Sequence, residues 1–332
     1  MILAFVTHIP LLWGVGLAEE PLRVEGRTMG TTYHITYFDK RQRSFQEPID
    51  SLLRAVNQGI NTYDPTSAVS QFNKSARGIA LKDLHLLAVL QQSLVVAKHS
   101  GGAFDPTVMP LVNAWGFGPA RSWLPDQAMV DSIRAFVGVD KIQLTTDSLL
   151  KTDPRVQLDF GGIGQGYGAD VITAFLRAKG VRDLLVELGG EGMARGKNIY
   201  KRKAWQIGIL DPNSTRDDQF FKAYVALKDR SFTTAGNYFN YREINGKKYS
   251  HTIDPKSGYP ADLPLLAVSV FAPDCTTADA WDTAFMVMGH EKTIEALKTL
   301  PGLDAILFYT AADGTMATYV TPGIRRAVTF QP

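Results

Sequence analysis

Along residues 32–38 polar and apolar side chains alternate, with Tyr33, Ile35 and Tyr37 on one side, and this period of two predicts a β-strand. The period then lengthens. Ile49, Leu52, Leu53, Val56 and Ile60 recur at helical spacing, which predicts an amphipathic helix. Residues 61–73 form a polar stretch with Asp64-Pro65 and are expected to be a loop, followed by a strongly apolar helix over 84–97 that stops before Ser100-Gly101-Gly102. Asp105 suits a helix cap and Pro106 a first helical position, so a helix is expected to continue over 107–114. A further helix is predicted over 127–136. A strand over 156–160 then runs into Gly161-Gly162-Ile163-Gly164-Gln165-Gly166, a helix over 167–179 and an apolar strand over 184–188.

Beyond Gly196 short extended runs dominate, at 205–210, 224–227, 232–234 and 266–271, with an Asn245-Gly246 turn signal among them. Helices over 276–288 and 291–299 precede two closing strands, 305–309 and 316–319. Helices and strands do not alternate as in a parallel α/β sheet. The fold class expected is therefore α+β: one compact unit, whole or in two packed lobes, with a mixed or antiparallel sheet and flanking helices.

Composition narrows the function classes. The chain has 332 residues, 45% hydrophobic and 20% charged, which excludes a polytopic membrane protein and a disordered chain. Lys plus Arg number 35 against 33 for Asp plus Glu, a net charge of +2. Runs such as Lys201-Arg202-Lys203 and Lys247-Lys248 are short and scattered, so no nucleic-acid partner is expected. The single cysteine, Cys275, removes intrachain disulfides, multi-cysteine zinc and iron–sulfur clusters; a metal would need oxygen or histidine ligands. Residues 2–17 are mostly apolar and end at Gly16-Leu17-Ala18, the pattern of a signal peptide over 1–18, although no Lys or Arg precedes the apolar run. The expectation is an exported protein, periplasmic or on the periplasmic face of the inner membrane, whose working domain spans 19–332. No cysteine lies near the cleavage point, so it is not expected to be a lipid-modified lipoprotein.

Four stretches carry candidate chemistry. On a helix, Asp279, Asp282 and Thr283 share one face beside apolar Ala284, Phe285, Val287 and Met288. A bound Mg²⁺ would relieve the repulsion between the two acids; equally, acids near a helix start can simply complement its positive end. Gly164-Gln165-Gly166-Tyr167-Gly168-Ala169 fits a dinucleotide fingerprint, with Glu187 ending the next strand, but no βαβ alternation follows and a nicotinamide dehydrogenase is set aside. A glycine-rich turn before a helix still suits an anion, or merely a tight connection. His251, in an extended segment ahead of Asp254-Pro255, has the side chain most often used as a general base, and also one often kept for structure. Tyr63, Phe104, Trp115 and Phe117 are loop aromatics able to stack on a flat ring or to pack.

Taken together, these segments resemble the ApbE-like family of FAD:protein FMN transferases. The resemblance runs in order through Met29-Gly30-Thr31-Thr32-Tyr33, the loop from Asn61 to Ser67 with 70–73, and Gly102-Ala103-Phe104-Asp105-Pro106-Thr107. It continues through 111–118, 159–167, Val186-Glu187-Leu188-Gly189-Gly190, 250–260 and 278–284. It implies Mg²⁺-dependent transfer of the FMN half of FAD to a Thr or Ser hydroxyl of a partner flavoprotein in a membrane electron-transfer complex, with release of AMP. By position it implies metal ligation by Asp279, Asp282, Thr283 and the Gly164 carbonyl. FAD contacts fall on Met29, Tyr63, Ala103, Phe104, Asp105, Gln165 and Ile253, and a catalytic histidine on His251. Gln165 stands where relatives often carry Lys or Glu, and the leader lacks the lipidation cysteine many relatives have. Hydrolysis of FAD to FMN and AMP, or flavin binding without catalysis, are alternatives that would use the same residues.

Overall fold

The computed structural model describes residues 20–120, 124–215, 217–237, 241–244 and 247–331; the expected leader and the Asn245-Gly246 turn lie outside them. The chain opens with β1 (Leu22–Thr28), β2 (Thr31–Tyr37), α1 (Gln46–Ile60), α2 (Ala68–Lys74), β3 (Gly78–Ala80) and α3 (Leu84–His99). It continues through α4 (Met109–Ala114), α5 (Gln127–Arg134), β4 (Ile142–Leu144), β5 (Ser148–Lys151), α6 (Gly164–Ala178), β6 (Leu184–Leu188) and β7 (Glu191–Arg195). Next come β8 (Trp205–Leu210), β9 (Phe221–Leu227), β10 (Arg230–Gly236), β11 (Tyr241–Ile244), β12 (Lys247–Ser250) and β13 (Leu265–Phe271). The last elements are α7 (Cys275–Leu297), β14 (Asp304–Thr310), β15 (Met316–Val320) and β16 (Val328–Phe330). None of the described helices is long and apolar enough to cross a membrane.

Eight strands form the central sheet in the order β1-β2-β6-β7-β10-β13-β14-β15, with every pairing antiparallel. Its inner strands β13 and β14 bury both faces. In β14, Ala305 and Leu307 face the helices α3 and α7, while Ile306 and Phe308 pack under the small β16-β9-β8 sheet. This double cover explains why the strand reads as a continuous apolar run rather than an alternating one. At the other end of the sheet Tyr33, Ile35, Val186 and Leu188 meet Ile49 and Leu53 of α1 and Ile172 and Leu176 of α6. The α+β class and antiparallel sheet expected from the sequence are the ones observed.

Four local expectations are corrected. Residues 61–73 contain α2, capped by Ser67, whose hydroxyl accepts from the Ser70 N–H; only Val69 and Phe72 mark its apolar side, too few for a periodic signal. Asp105 does not cap a helix. It accepts from the Thr107 N–H (2.8 Å) and hydroxyl (2.6 Å) in a local turn, and α4 starts only at Met109. Residues 156–160 are buried at every second position yet form only an isolated bridge, Gln157 with Val108, because on the other side the side-chain amide of Asn73 bonds the Leu158 N–H (2.7 Å) and C=O (2.8 Å) in place of a neighbouring strand. The glycine-rich turn is itself helical, since α6 begins at Gly164. The two helices expected near the C-terminus are both present: α7 breaks at Gly289, whose φ of 76° and ψ of 172° are not helical.

Candidate active site

The first turns of α6 and α7 meet at the end of the sheet where β7 and β10 part. Gly166 makes the approach possible, since a Cβ there would strike the Cys275 carbonyl and sit 2.7 Å from the Asp279 Cβ. Two carboxylates then lace the helices together reciprocally. Asp279 of α7 accepts from the Gly166 N–H of α6 (2.7 Å). Asp170 of α6 accepts from the N–H groups of Cys275 (2.9 Å) and Thr276 (2.8 Å) and from the Thr276 hydroxyl (2.6 Å), capping α7 alongside Asp274. The i, i+3, i+4 spacing along α7 thus carries Asp279, Asp282 and Thr283 to one end of a cavity of about 750 Å³.

All twelve residues expected from the sequence line that cavity: Met29, Tyr63, Ala103, Phe104, Asp105, Gly164, Gln165, His251, Ile253, Asp279, Asp282 and Thr283. They come from elements far apart in the chain. Met29 occupies the two-residue turn between β1 and β2 with a φ of 49°, a conformation disfavoured for a side-chain-bearing residue, and Gly30 follows at 75°. Tyr63 stands at the rim, 66% exposed, its hydroxyl donating to the Phe117 carbonyl (3.2 Å). Phe117 meets the His251 ring edge-on at 6.4 Å, so Tyr63, Phe117 and His251 form one wall. Trp115 is instead buried, its indole N–H donating to the Gly258 carbonyl, and packs on Tyr249.

The lining holds five carboxylates, Asp105, Asp159, Glu191, Asp279 and Asp282, and among the described residues no Lys or Arg. Burial pushes the Asp279 carboxyl up to about 7, against the bond from Gly166 that favours its ionised form. Burial first, and then the Asp279 charge, push Asp282 well above the usual range; Glu191 is raised by burial and by both aspartates. Sequence reasoning missed Glu191, Asp159 and Asp170. Glu191 is 8% exposed, and its Oε2 has no hydrogen-bond partner. Its one sequence signal is a lone acid directly after Gly189-Gly190 in a strand buried from its first residue to its fourth. Glu187, one residue before the end of β6, lies away from the cavity: it bonds His34 (2.8 Å) and accepts from the Gly190 N–H (2.6 Å).

This donor set suits a hard divalent cation. Mutually raised, buried acids with an orphaned oxygen among them are stabilised by added positive charge, and oxygen ligands suit Mg²⁺. Among the described residues no three His, Cys, Asp or Glu side chains are grouped as a metal cage. A cation here would use Asp279 and Asp282, the Thr283 hydroxyl and a backbone carbonyl such as that of Gly164, and complete its shell with water or substrate oxygens.

Comparison with known proteins agrees with this geometry. The chain matches the ApbE family over residues 29–307. The chain belongs to the ApbE family. It is 36% identical over 287 residues to the FAD:protein FMN transferase of Haemophilus influenzae, covering 82% of each chain. It is 34% identical over 315 residues to that of Escherichia coli K12, covering 92% of this chain and 88% of the other. Among solved structures, the ApbE flavin transferase of Vibrio cholerae superposes with a TM-score of 0.84 at 30% identity, covering 93% of this chain and 99% of that one. The apo flavinyl transferase ApbE of Pseudomonas stutzeri gives 0.81, also at 30% identity, over 93% and 96%.

Proposed function

We propose that this ApbE family member is a Mg²⁺-dependent FAD:protein FMN transferase that moves the FMN half of FAD onto a Ser or Thr hydroxyl of an acceptor flavoprotein and releases AMP. The observation that carries the reading is a cavity rimmed by aromatic side chains whose inner end is lined by buried acids with, among the described residues, no Lys or Arg beside them. A substrate with two phosphates can enter such an end only with a cation between the two sets of negative charge.

In this reading Asp279, Asp282, Thr283 and the Gly164 carbonyl hold the cation. When bound, Mg²⁺ polarises the phosphate oxygens and offsets the charge that develops on them. Met29, Tyr63, Ala103, Phe104, Asp105, Gln165 and Ile253 contact FAD, with Tyr63 and Phe104 offering ring faces. His251 accepts the proton of the attacking hydroxyl at a ring nitrogen. The hydroxyl oxygen bonds to the FMN-side phosphorus, the bridging P–O bond breaks, and AMP leaves with that electron pair.

We also place this activity outside the cytoplasm, on flavoprotein subunits of membrane electron-transfer complexes. The support is the leader-like pattern of residues 1–18 and a chain with one buried cysteine and no need of disulfides. Incubation with FAD, Mg²⁺ and a candidate acceptor, followed by intact-protein mass spectrometry, tests the reading. The acceptor should gain one FMN unit, and His251→Ala should lose that gain while still binding FAD. AMP release with no acceptor labelled would make the protein a hydrolase.

A further inference from the structure

The central sheet has an interior edge. Along β10 the Ser231 N–H bonds the Ala272 carbonyl (2.9 Å) and the Asn237 N–H bonds the Leu266 carbonyl (3.2 Å), so the odd-numbered residues 231, 233, 235 and 237 point their backbone groups at β13. The even-numbered residues point the other way, toward β7. There the pairing stops early: Arg230, Ser231 and Phe232 lie opposite Ala194, Met193 and Gly192. One residue further, β7 begins at Glu191, and Gly190 and Gly189 turn the chain back into β6. Among the described residues, the N–H and C=O groups of Thr234 and Gly236 therefore have no strand across from them. What lies across is the cavity, which Thr234, Ala235 and Gly236 line together with Glu191, His251 and Asp282.

We infer that this edge of β10 is the docking site for the acceptor, taken as an extended segment of polypeptide that adds a strand between β10 and the cavity. The inference rests on the transferase reading and supplies what that reading lacks, a place for the second substrate. Two groups repeating at every second residue, about 6.6–6.8 Å apart, are the hydrogen-bonding pattern of an extended chain. Thr234 and Gly236 are half-buried, and the backbone groups of such a strand edge are a template for an incoming strand. Ala235 and Gly236 carry little or no side chain, so the incoming backbone can come close. An acceptor strand held there presents one side chain in two to the cavity, and a Thr or Ser at that position brings its hydroxyl toward His251 and the acids of α7.

The test uses randomised heptapeptides with a central Thr, incubated with the protein, FAD and Mg²⁺, with labelled peptides identified by a mass gain of one FMN. A labelled peptide is then N-methylated one residue at a time. Loss of one edge hydrogen bond corresponds to about a ten-fold drop in transfer, expected at alternate residues with less than about two-fold change between them. A uniform response, or sensitivity at a single residue, overturns the strand. So does labelling of a whole flavoprotein acceptor when no peptide is labelled. If no acceptor of either kind gains FMN, the transferase reading falls and the docking site with it. Gly236→Pro, which removes one edge N–H, should raise the peptide KM about ten-fold with FAD affinity retained. A weakened affinity for FAD instead would assign the edge to the flavin and overturn the inference.

Discussion

Asp39 and Asp279 are the same residue type and equally shielded, 6% and 5% exposed, yet their acidities move in opposite directions. Asp39 follows β2 and is grasped by Arg43, whose Nε and terminal nitrogen both donate at 2.8 Å, while the Arg43 N–H adds a third bond. The guanidinium holds its carboxyl down at about 2. Asp279 has one N–H and no cation, and burial lifts it to about 7. Depth also separates them, since Arg43 is itself 35% exposed and the first pair lies just beneath the surface. Where only structure is at stake, the fold supplies its own counter-charge. At the cavity it leaves buried acids without one, and that unmet charge is what marks a place for a cation and a phosphate substrate.

The largest break in this contrast should come from Asp279→Asn, which is expected to lower FMN transfer about 10³-fold, read as the rate of acceptor mass gain. Asp170→Asn should come next. It loosens the cap that holds α7 on α6, and the affinity for Mn²⁺, titrated by electron paramagnetic resonance without FAD, should fall about 10–100-fold. An unchanged affinity in a folded variant would show that Asp170 has no part in setting the cation site.

Stability should respond in the opposite sense at the two acids. In EDTA at pH 8, Asp279→Asn should be more stable than the parent by about 1–3 kcal/mol, because an uncompensated charge has been removed from the interior. The sign follows from proton binding. The folded carboxyl keeps its proton to about pH 7 and the unfolded one releases it near 3.8, so the parent loses stability as pH rises between those values. The advantage of Asp279→Asn should therefore shrink at pH 5 and vanish when Mg²⁺ is added, as thermal melts would reveal. Asp39→Asn should show the smallest effect, a loss of about 1 kcal/mol after allowance for solvent screening. Its pH course is the mirror image: the folded carboxyl ionises near 2 and the unfolded near 3.8, so the loss should persist from pH 5 to 8 and fade below about 4. A melt in which both variants moved in the same direction would undo the contrast.

How much of this was legible beforehand differs by residue. Asp279, Asp282 and Thr283 could be placed on one face because their geometry is set within a single helix. The strands 184–188 and 266–271 were visible as apolar runs, the second because both faces of the sheet are covered. Residues 156–160 show where burial pattern alone misleads. Alternation reports which side chains are inside, but on one side the backbone at Leu158 is met by the Asn73 amide, from 85 residues away, and on the other only a single bridge to Val108 forms. Glu191 and Asp170 were missed for the same reason: nothing next to either residue in the chain says which carboxylates or helix ends it will face.

The sequence by itself determined the local devices: the period-two strands, the acids at helical spacing on α7, the glycines before α6, and a ligand supply limited to oxygen and histidine by a single cysteine. Those follow from backbone geometry and side-chain chemistry over a few residues. Only the tertiary structure decided that twelve scattered residues line one cavity, that Glu191 joins the acids of α7 with its Oε2 unpartnered, and that β10 outruns β7 beside His251. Each of these depends on where long stretches of chain end relative to one another. That is settled by the packing of α6 and α7 against the doubly covered sheet, through contacts between residues far apart in the chain.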